Sequence, residues 1–138
     1  KPRLAHGDFF LENLIYYKKN IFVIDHQDLH YNHPYLDIAS LIFDARRQYS
    51  PKVEDRCIKE YAKKCNQPLK QTIYDIHLVS LARNLRILGN WINLYRSGKP
   101  HYLKKYRKAT WTQIFKHVEY LRFWDLRELF EEVYKKTK

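Results

Sequence analysis

Between Leu69 and Ser97 the sequence sets Leu78, Leu81, Leu85, Leu88, Ile92 and Tyr95 at intervals of 3, 4, 3, 4 and 3 residues, with Ile73, Ile76 and Val79 in a second line beside them. Alternating steps of three and four fall on one side of a helix, so the spacing predicts one long helix across this stretch. A face that broad must be buried against several partners. Ser97-Gly98-Lys99-Pro100 reads as its stop, with Gly98 where a left-handed cap would sit, and Gly89 is a candidate kink. Shorter helices are expected around it. Tyr35 to Arg47 carries Leu36, Ala39, Ile42 and Phe43 at helical spacing, and Ser50-Pro51 supplies a cap followed by proline for a second helix reaching about Cys65. Two amphipathic segments, roughly Trp111 to Phe123 and Asp125 to Lys136, end the chain. Only 3 Gly and 5 Pro among 138 residues argue against a turn-dense β protein, and 45% hydrophobic content excludes disorder. A mainly α domain with one attached β-hairpin is the expected fold class.

The hairpin lies early. Leu14-Ile15-Tyr16-Tyr17 and Ile21-Phe22-Val23-Ile24 are β-branched or aromatic runs separated by the polar Lys18-Lys19-Asn20. An antiparallel ribbon returns the chain to its start, so Asn13 before the first strand and Asp25 after the second are expected about 5 Å apart. Asp8 sits five residues upstream on the same loop. The three types are also turn formers, but an amide oxygen beside a carboxylate makes a hard-oxygen pair suited to Mg²⁺, which keeps further positions for phosphates and water. Phosphoryl transfer needs such a metal and a carboxylate beside the acceptor hydroxyl. On that reading Asp8 is the catalytic base, and Asn13 and Asp25 are the metal ligands. A second metal arrangement, His26, His30 and His33, has neither helical spacing nor a nearby cysteine.

Lys and Arg number 26 against 15 Asp and Glu, a net charge of +11. Such a balance invites nucleic acid as partner, but the cations are spread in pairs such as Lys18-Lys19, Arg46-Arg47 and Lys104-Lys105 with carboxylates between many of them. Nucleic acid is therefore not the expected partner. No apolar run approaches the roughly 18 residues of a membrane span, so no membrane association is expected. Cys57 and Cys65 stand eight apart in a helical stretch, about 12 Å, too far to bridge each other. Reduced thiols point to a cytoplasmic setting. The sequence lacks Met and begins Lys1-Pro2-Arg3-Leu4, which reads as a piece of a longer chain.

His6-Gly7-Asp8-Phe9-Phe10-Leu11-Glu12-Asn13, the hairpin and Ile24-Asp25 resemble the catalytic and metal-binding segments of protein-kinase-like phosphotransferases, specifically the aminoglycoside phosphotransferase and choline kinase branch. His26-Gln27-Asp28, then His33-Pro34-Tyr35-Leu36-Asp37-Ile38-Ala39, Arg83-Asn84-Leu85-Arg86-Ile87-Leu88-Gly89 and Gly98-Lys99-Pro100-His101 are similar to bacterial sugar kinases acting on the anomeric hydroxyl of N-acetylmuramate and N-acetylglucosamine. The resemblance implies the C-terminal lobe of an α+β kinase-like fold, with ATP as co-substrate and Mg²⁺ as cofactor. It implies Asp8 as base, Asn13 and Asp25 as Mg²⁺ ligands, and His6 and Asp37 as braces of the catalytic loop. The acceptor is then a hydroxyl of an amino sugar or aminoglycoside.

Three departures and one gap accompany it. Gly7 replaces the arginine of eukaryotic protein kinases, His26-Gln27 stands in place of Phe-Gly, and Glu12 occupies a position where many anomeric sugar kinases carry arginine. No nucleotide-binding lobe with a Gly-rich loop precedes His6, since the glycines are at 7, 89 and 98. The 138 residues are therefore expected to be one inactive lobe of an active enzyme. The competing expectation is a catalytically dead kinase-like scaffold or a basic nucleic-acid-binding helical module.

Overall fold

The computed structural model describes residues 1–136. It opens with β1 (Arg3–Ala5), a 3₁₀ turn at Leu11–Asn13, the hairpin strands β2 (Leu14–Tyr17) and β3 (Asn20–Val23), and β4 (His30–Asn32). The helices follow as α1 (Leu36–Ile42), α2 (Pro51–Lys64), α3 (Leu69–Arg96), α4 (His101–Leu121) and α5 (Trp124–Lys136). The fold is mainly α, as expected. The expected hairpin pairs Leu14 with Val23 through Tyr17 with Asn20, and a two-residue loop closes it. Both loop residues, Lys18 and Lys19, have positive φ, the geometry a right-twisted ribbon demands of so short a turn.

A second antiparallel pair joins β1 to β4, with Arg3 opposite Asn32 and Ala5 opposite His30. Strands of three residues carry too little alternation to stand out in a sequence. The pair nonetheless matters, because it closes residues 6–29 into a loop whose two ends lie side by side. The hairpin projects from that loop.

The long helix α3 organises the rest. Tyr35, Ala39, Ile42, Phe43, Ile58 and Ile76 pack where α1, α2 and the first half of α3 meet. Leu81, Leu88, Trp111, Ile114, Val118 and Leu121 form a second cluster between α3 and α4, covered by Phe130, Val133 and Tyr134 of α5. The two apolar lines read in the sequence thus serve two clusters. The stripe is not buried along its whole length: Leu78 is 40% and Tyr95 49% exposed, whereas Trp91, outside the stripe, is buried. Helix α4 begins about ten residues before its apolar period does. His101 to Thr110 is held by stacking, with Tyr102 and Tyr106 at 6.1 and 5.6 Å from Trp91. Beyond α3, Gly98 has φ +83° and its N–H bonds to the Tyr95 carbonyl, the left-handed stop that the sequence indicated.

Helix α1 ends at Ile42, not near Arg47, because polar side chains of other helices take the next carbonyls. Asn84 Nδ2 donates to Phe43 O at 3.1 Å, Thr110 Oγ1 to Ala45 O at 2.9 Å and Gln113 Nε2 to Arg47 O at 3.0 Å. An unwound buried segment is tolerable only when its backbone groups are paired in this way. Asp44, also buried, receives two bonds from the Arg46 guanidinium. Glu54 pairs with Lys116, whose ammonium lies over the Phe43 ring.

Beside that ring, His77 and His117 face one another with their Nδ1 atoms 3.0 Å apart, and Tyr120 stacks on His77. One ring donates and the other accepts, so the two cannot both be protonated at Nδ1. Burial, with Lys116 adding to it, pushes His77 down to about 4. Burial, then His77 and Lys116, pushes His117 down to about 2. Both folded values lie below the ordinary 6.5, so the unfolded chain binds the extra protons. The stability gained by keeping the rings neutral is complete above pH 6.5 and is lost as pH falls toward 4. Each ring then contributes a slope of about 1.4 kcal/mol per pH unit. Urea unfolding at stepped pH should show a shallower fall in His117→Gln than in the wild type; parallel slopes would contradict a neutral buried pair.

Candidate active site

The loop between β1 and β2 is held from below by a single carboxylate. Asp37, in the first turn of α1, accepts the His6 N–H through Oδ2 at 2.8 Å and the Gly7 N–H through Oδ1 at 3.0 Å. Gly7 has φ +83°, and a Cβ there would lie 2.7 Å from His30 Cε1. Only glycine satisfies both the backbone angle and the space. The buried His6 ring reaches the other side of the loop, with Nε2 2.9 Å from Ile24 O. A carbonyl can only accept, so Nε2 carries the proton. This bond ties the residue before Asp8 and Gly7 to the residue before Asp25.

Asn13, 7% exposed, ends the 3₁₀ turn. Its Nδ2 donates to the Asp8 carbonyl at 2.9 Å, which leaves Oδ1 as an oxygen with no hydrogen bond among the described residues. Its own carbonyl accepts the Ile24 N–H at 3.0 Å, extending the hairpin ladder by one step. Asn13 therefore lies opposite Ile24, one residue short of Asp25. Asp25 has φ +63°, a left-handed conformation that costs about 1–2 kcal/mol for a residue with a Cβ. Such strain is found where a side chain must be aimed. Gln27 Nε2 holds Asp25 Oδ1 at 2.7 Å, and Oδ2 is left without a hydrogen bond among the described residues.

Four of the five residues singled out in the sequence thus occupy one loop system, and the fifth, Asp37, holds it from the first turn of α1. Asp8 and Asn13 are joined through a side chain to a carbonyl, and His6 and Asp37 brace the backbone. Asp25 is linked to Asn13 only through Ile24; no side-chain bond joins it to Asp8 or Asn13 among the described residues. The donor set at Asn13 and Asp25 is hard oxygen, the chemistry Mg²⁺ requires, with room for ligands other than protein. His30 has both ring nitrogens engaged, Nδ1 with Asp28 O and Nε2 with Asn32, which removes it from the three-histidine arrangement. Glu12 is drawn toward the segment after α1 by Arg47 at 2.6 Å. Burial alone would raise its pKa, but the Arg47 hydrogen bond and charge outweigh that and hold it below the ordinary value.

Asp8 is 55% exposed in its side chain and opens on a cleft of about 540 Å³. Asp28, His30 and His33 line one wall, and Arg83 and Arg86 of α3 the other. Arg83 carries no assigned role in the sequence reading, where it appears only within the Arg83–Gly89 segment similar to sugar kinases. The partner that exposes its relevance, Asp8, lies 75 residues away in the chain.

The model of the phosphotransferase enzyme family matches residues 1–70, the stretch that carries all five of these side chains. An N-acetylmuramate/N-acetylglucosamine kinase from Caulobacter vibrioides is 33% identical over 106 residues, covering 71% of this chain. The chain spans 29% of that relative's length.

Asp37→Ala should cost about 3 kcal/mol, since two backbone N–H groups lose a charged acceptor at once. The His6 and Gly7 amides should exchange with solvent far faster than in the wild type, and Asp37→Asn, which keeps one acceptor oxygen, should fall between. Unchanged exchange at those two amides would show that the clamp does not hold the loop.

Proposed function

This chain belongs to the phosphotransferase enzyme family, and from that premise we propose that it is the catalytic-loop and helical lobe of a small-molecule kinase. The full enzyme would move the γ-phosphate of ATP to a hydroxyl of an amino sugar or aminoglycoside. The observation that carries this reading is the bonded frame around Asp8: Asp37 on the His6 and Gly7 amides, His6 on Ile24, and Asn13 on the Asp8 carbonyl.

Asp8 orients the acceptor hydroxyl and takes its proton as the bond to phosphorus forms. An exposed carboxylate on a rigid backbone is suited to that, because the bond-making step needs positioning more than strong basicity. Asn13 through Oδ1 and Asp25 through its carboxylate would hold Mg²⁺. When bound, that ion neutralises charge on the transferring phosphates. His6 and Asp37 keep the two halves of the site at fixed separation without touching substrate.

Support for a second lobe comes from the hairpin. Tyr16, Ile21 and Phe22 are 72%, 66% and 50% exposed, on both faces of the ribbon. Large apolar side chains left open on both faces of one ribbon are usually covered, and we assign the covering to a nucleotide-binding lobe and the nucleotide beneath it. Among the described residues no helix is long and apolar enough to cross a membrane, and both cysteines are free thiols. The free thiols support a cytoplasmic enzyme.

In the complete protein, Asp8→Asn should lower kcat by about 10²–10⁴ with little change in KM, measured as ATP-dependent phosphorylation of N-acetylated amino sugars. The 138-residue chain alone should give no transfer. Wild-type turnover by the variant, or ATP-dependent transfer by the chain alone, would contradict the proposal.

A further inference from the structure

The cleft beside Asp8 holds a charge that the reaction above leaves without a task. The Arg83 side chain is 3% exposed, and its nearest carboxylate oxygen is Asp8 Oδ1, 3.7 Å from Nη2. That is longer than a hydrogen bond. Nε and Nη1 are sealed from solvent without a partner. A guanidinium with five N–H donors therefore makes no hydrogen bond among the described residues, and Nη2 is the edge left facing the cleft. A buried cation left so poorly compensated is costly.

Arg86 follows three residues later on the same face of α3, exposed and without a hydrogen bond or ion pair among the described residues. Like charges at this spacing repel. An oxyanion between them would relieve both costs with charge-assisted bonds. His33 adds a donor to the opposite wall: its Nδ1 accepts the Tyr35 N–H at 3.4 Å, which leaves Nε2 as the protonated nitrogen. Asp8 and Asp28 repel an anion from the remaining sides, which confines it to the α3 wall.

We propose that Arg83 and Arg86 form an oxyanion subsite in this cleft, placing a carboxylate or phosphoryl oxygen within reach of Asp8. The proposal rests on the reading of Asp8 as the acceptor's base. Two groups share the required chemistry: a carboxylate carried by the sugar acceptor, and the phosphoryl group being transferred.

The test follows backbone amides of residues 30–33 and 82–87 in the ¹⁵N-labelled chain at constant ionic strength. It titrates three probes: N-acetylmuramate, which carries a carboxylate, N-acetylglucosamine, its neutral counterpart, and inorganic phosphate. At least one anion should shift these amides, and Arg86→Gln, at an exposed position that folding does not need, should weaken that binding about tenfold or more. Arg83→Lys keeps the charge but loses the fork and should weaken it as well. N-acetylmuramate binding at least about tenfold tighter than N-acetylglucosamine assigns the subsite to the acceptor's carboxylate. Phosphate binding with the two sugars equal assigns it to the transferred group. Binding of neither anion, or anion binding that Arg86→Gln leaves unchanged, overturns the proposal. Mg²⁺-induced shifts at Asn13 and Asp25 in the same samples test the phosphotransfer reading separately. Their absence with anion binding retained would remove that reading and leave the subsite in place.

Discussion

One carboxylate fixes the position of everything that matters in this site. Asp37 sits in the first turn of a helix anchored in the core by Ala39, Ile42 and Phe43, and it binds two consecutive amides of the loop that carries Asp8. The loop therefore inherits the rigidity of the helical body without contributing to its core. Two consecutive N–H groups can share one carboxylate only if the backbone turns sharply there, which is what the left-handed Gly7 provides. From that point His6 carries the restraint across to Ile24, and Asn13 carries it back to the Asp8 carbonyl. The rest of the site is built on a frame of four hydrogen bonds.

The helical body uses polar groups in a related way. The segment after α1 is unwound, and Asn84, Thr110 and Gln113 from two other helices close its carbonyls. The C-terminal end of α1 is thus set by partners distant in sequence, and Asp37 lies in the first turn at its other end. Arg83 lies on the same long helix as Asn84, one residue away, with one neighbour serving the core and the other facing the cleft. The organisation sets a packed α3–α4 body beside a loop system at one end, with the left-handed Asp25 in the loop and the unpaired donors of Arg83 at the cleft.

Much of this was legible in the sequence for physical reasons. Period and capping signals placed the hairpin, α2 and α3 within a residue or two, because Ser50-Pro51 and Gly98 are strong local signals. The start of α4 was hidden, since its first turns are polar and aromatic and owe their place to stacking on Trp91. The end of α1 was hidden too, because what stops it comes from Asn84, Thr110 and Gln113. Within the site, hairpin geometry alone set Asn13 and Asp25 at the same end of the ribbon, one register step apart. Their braces His6 and Asp37 followed from family likeness, since no local rule connects residues 31 apart. Arg83 had no local signal, and the buried Trp91 lies outside the apolar stripe because a periodicity reading assigns one face to a helix that packs on several sides.

The central claim is that Asn13 and Asp25 hold one divalent ion beside Asp8. Paramagnetic broadening by Mn²⁺, added in small steps to the ¹⁵N-labelled chain, measures this most directly. Broadening should be strongest at Asn13, Ile24 and Asp25, reach Asp8 next, and disappear in Asp25→Asn with the rest of the spectrum unchanged. Broadening spread evenly over exposed carboxylates, or centred on α5 acids such as Glu131, would contradict the account.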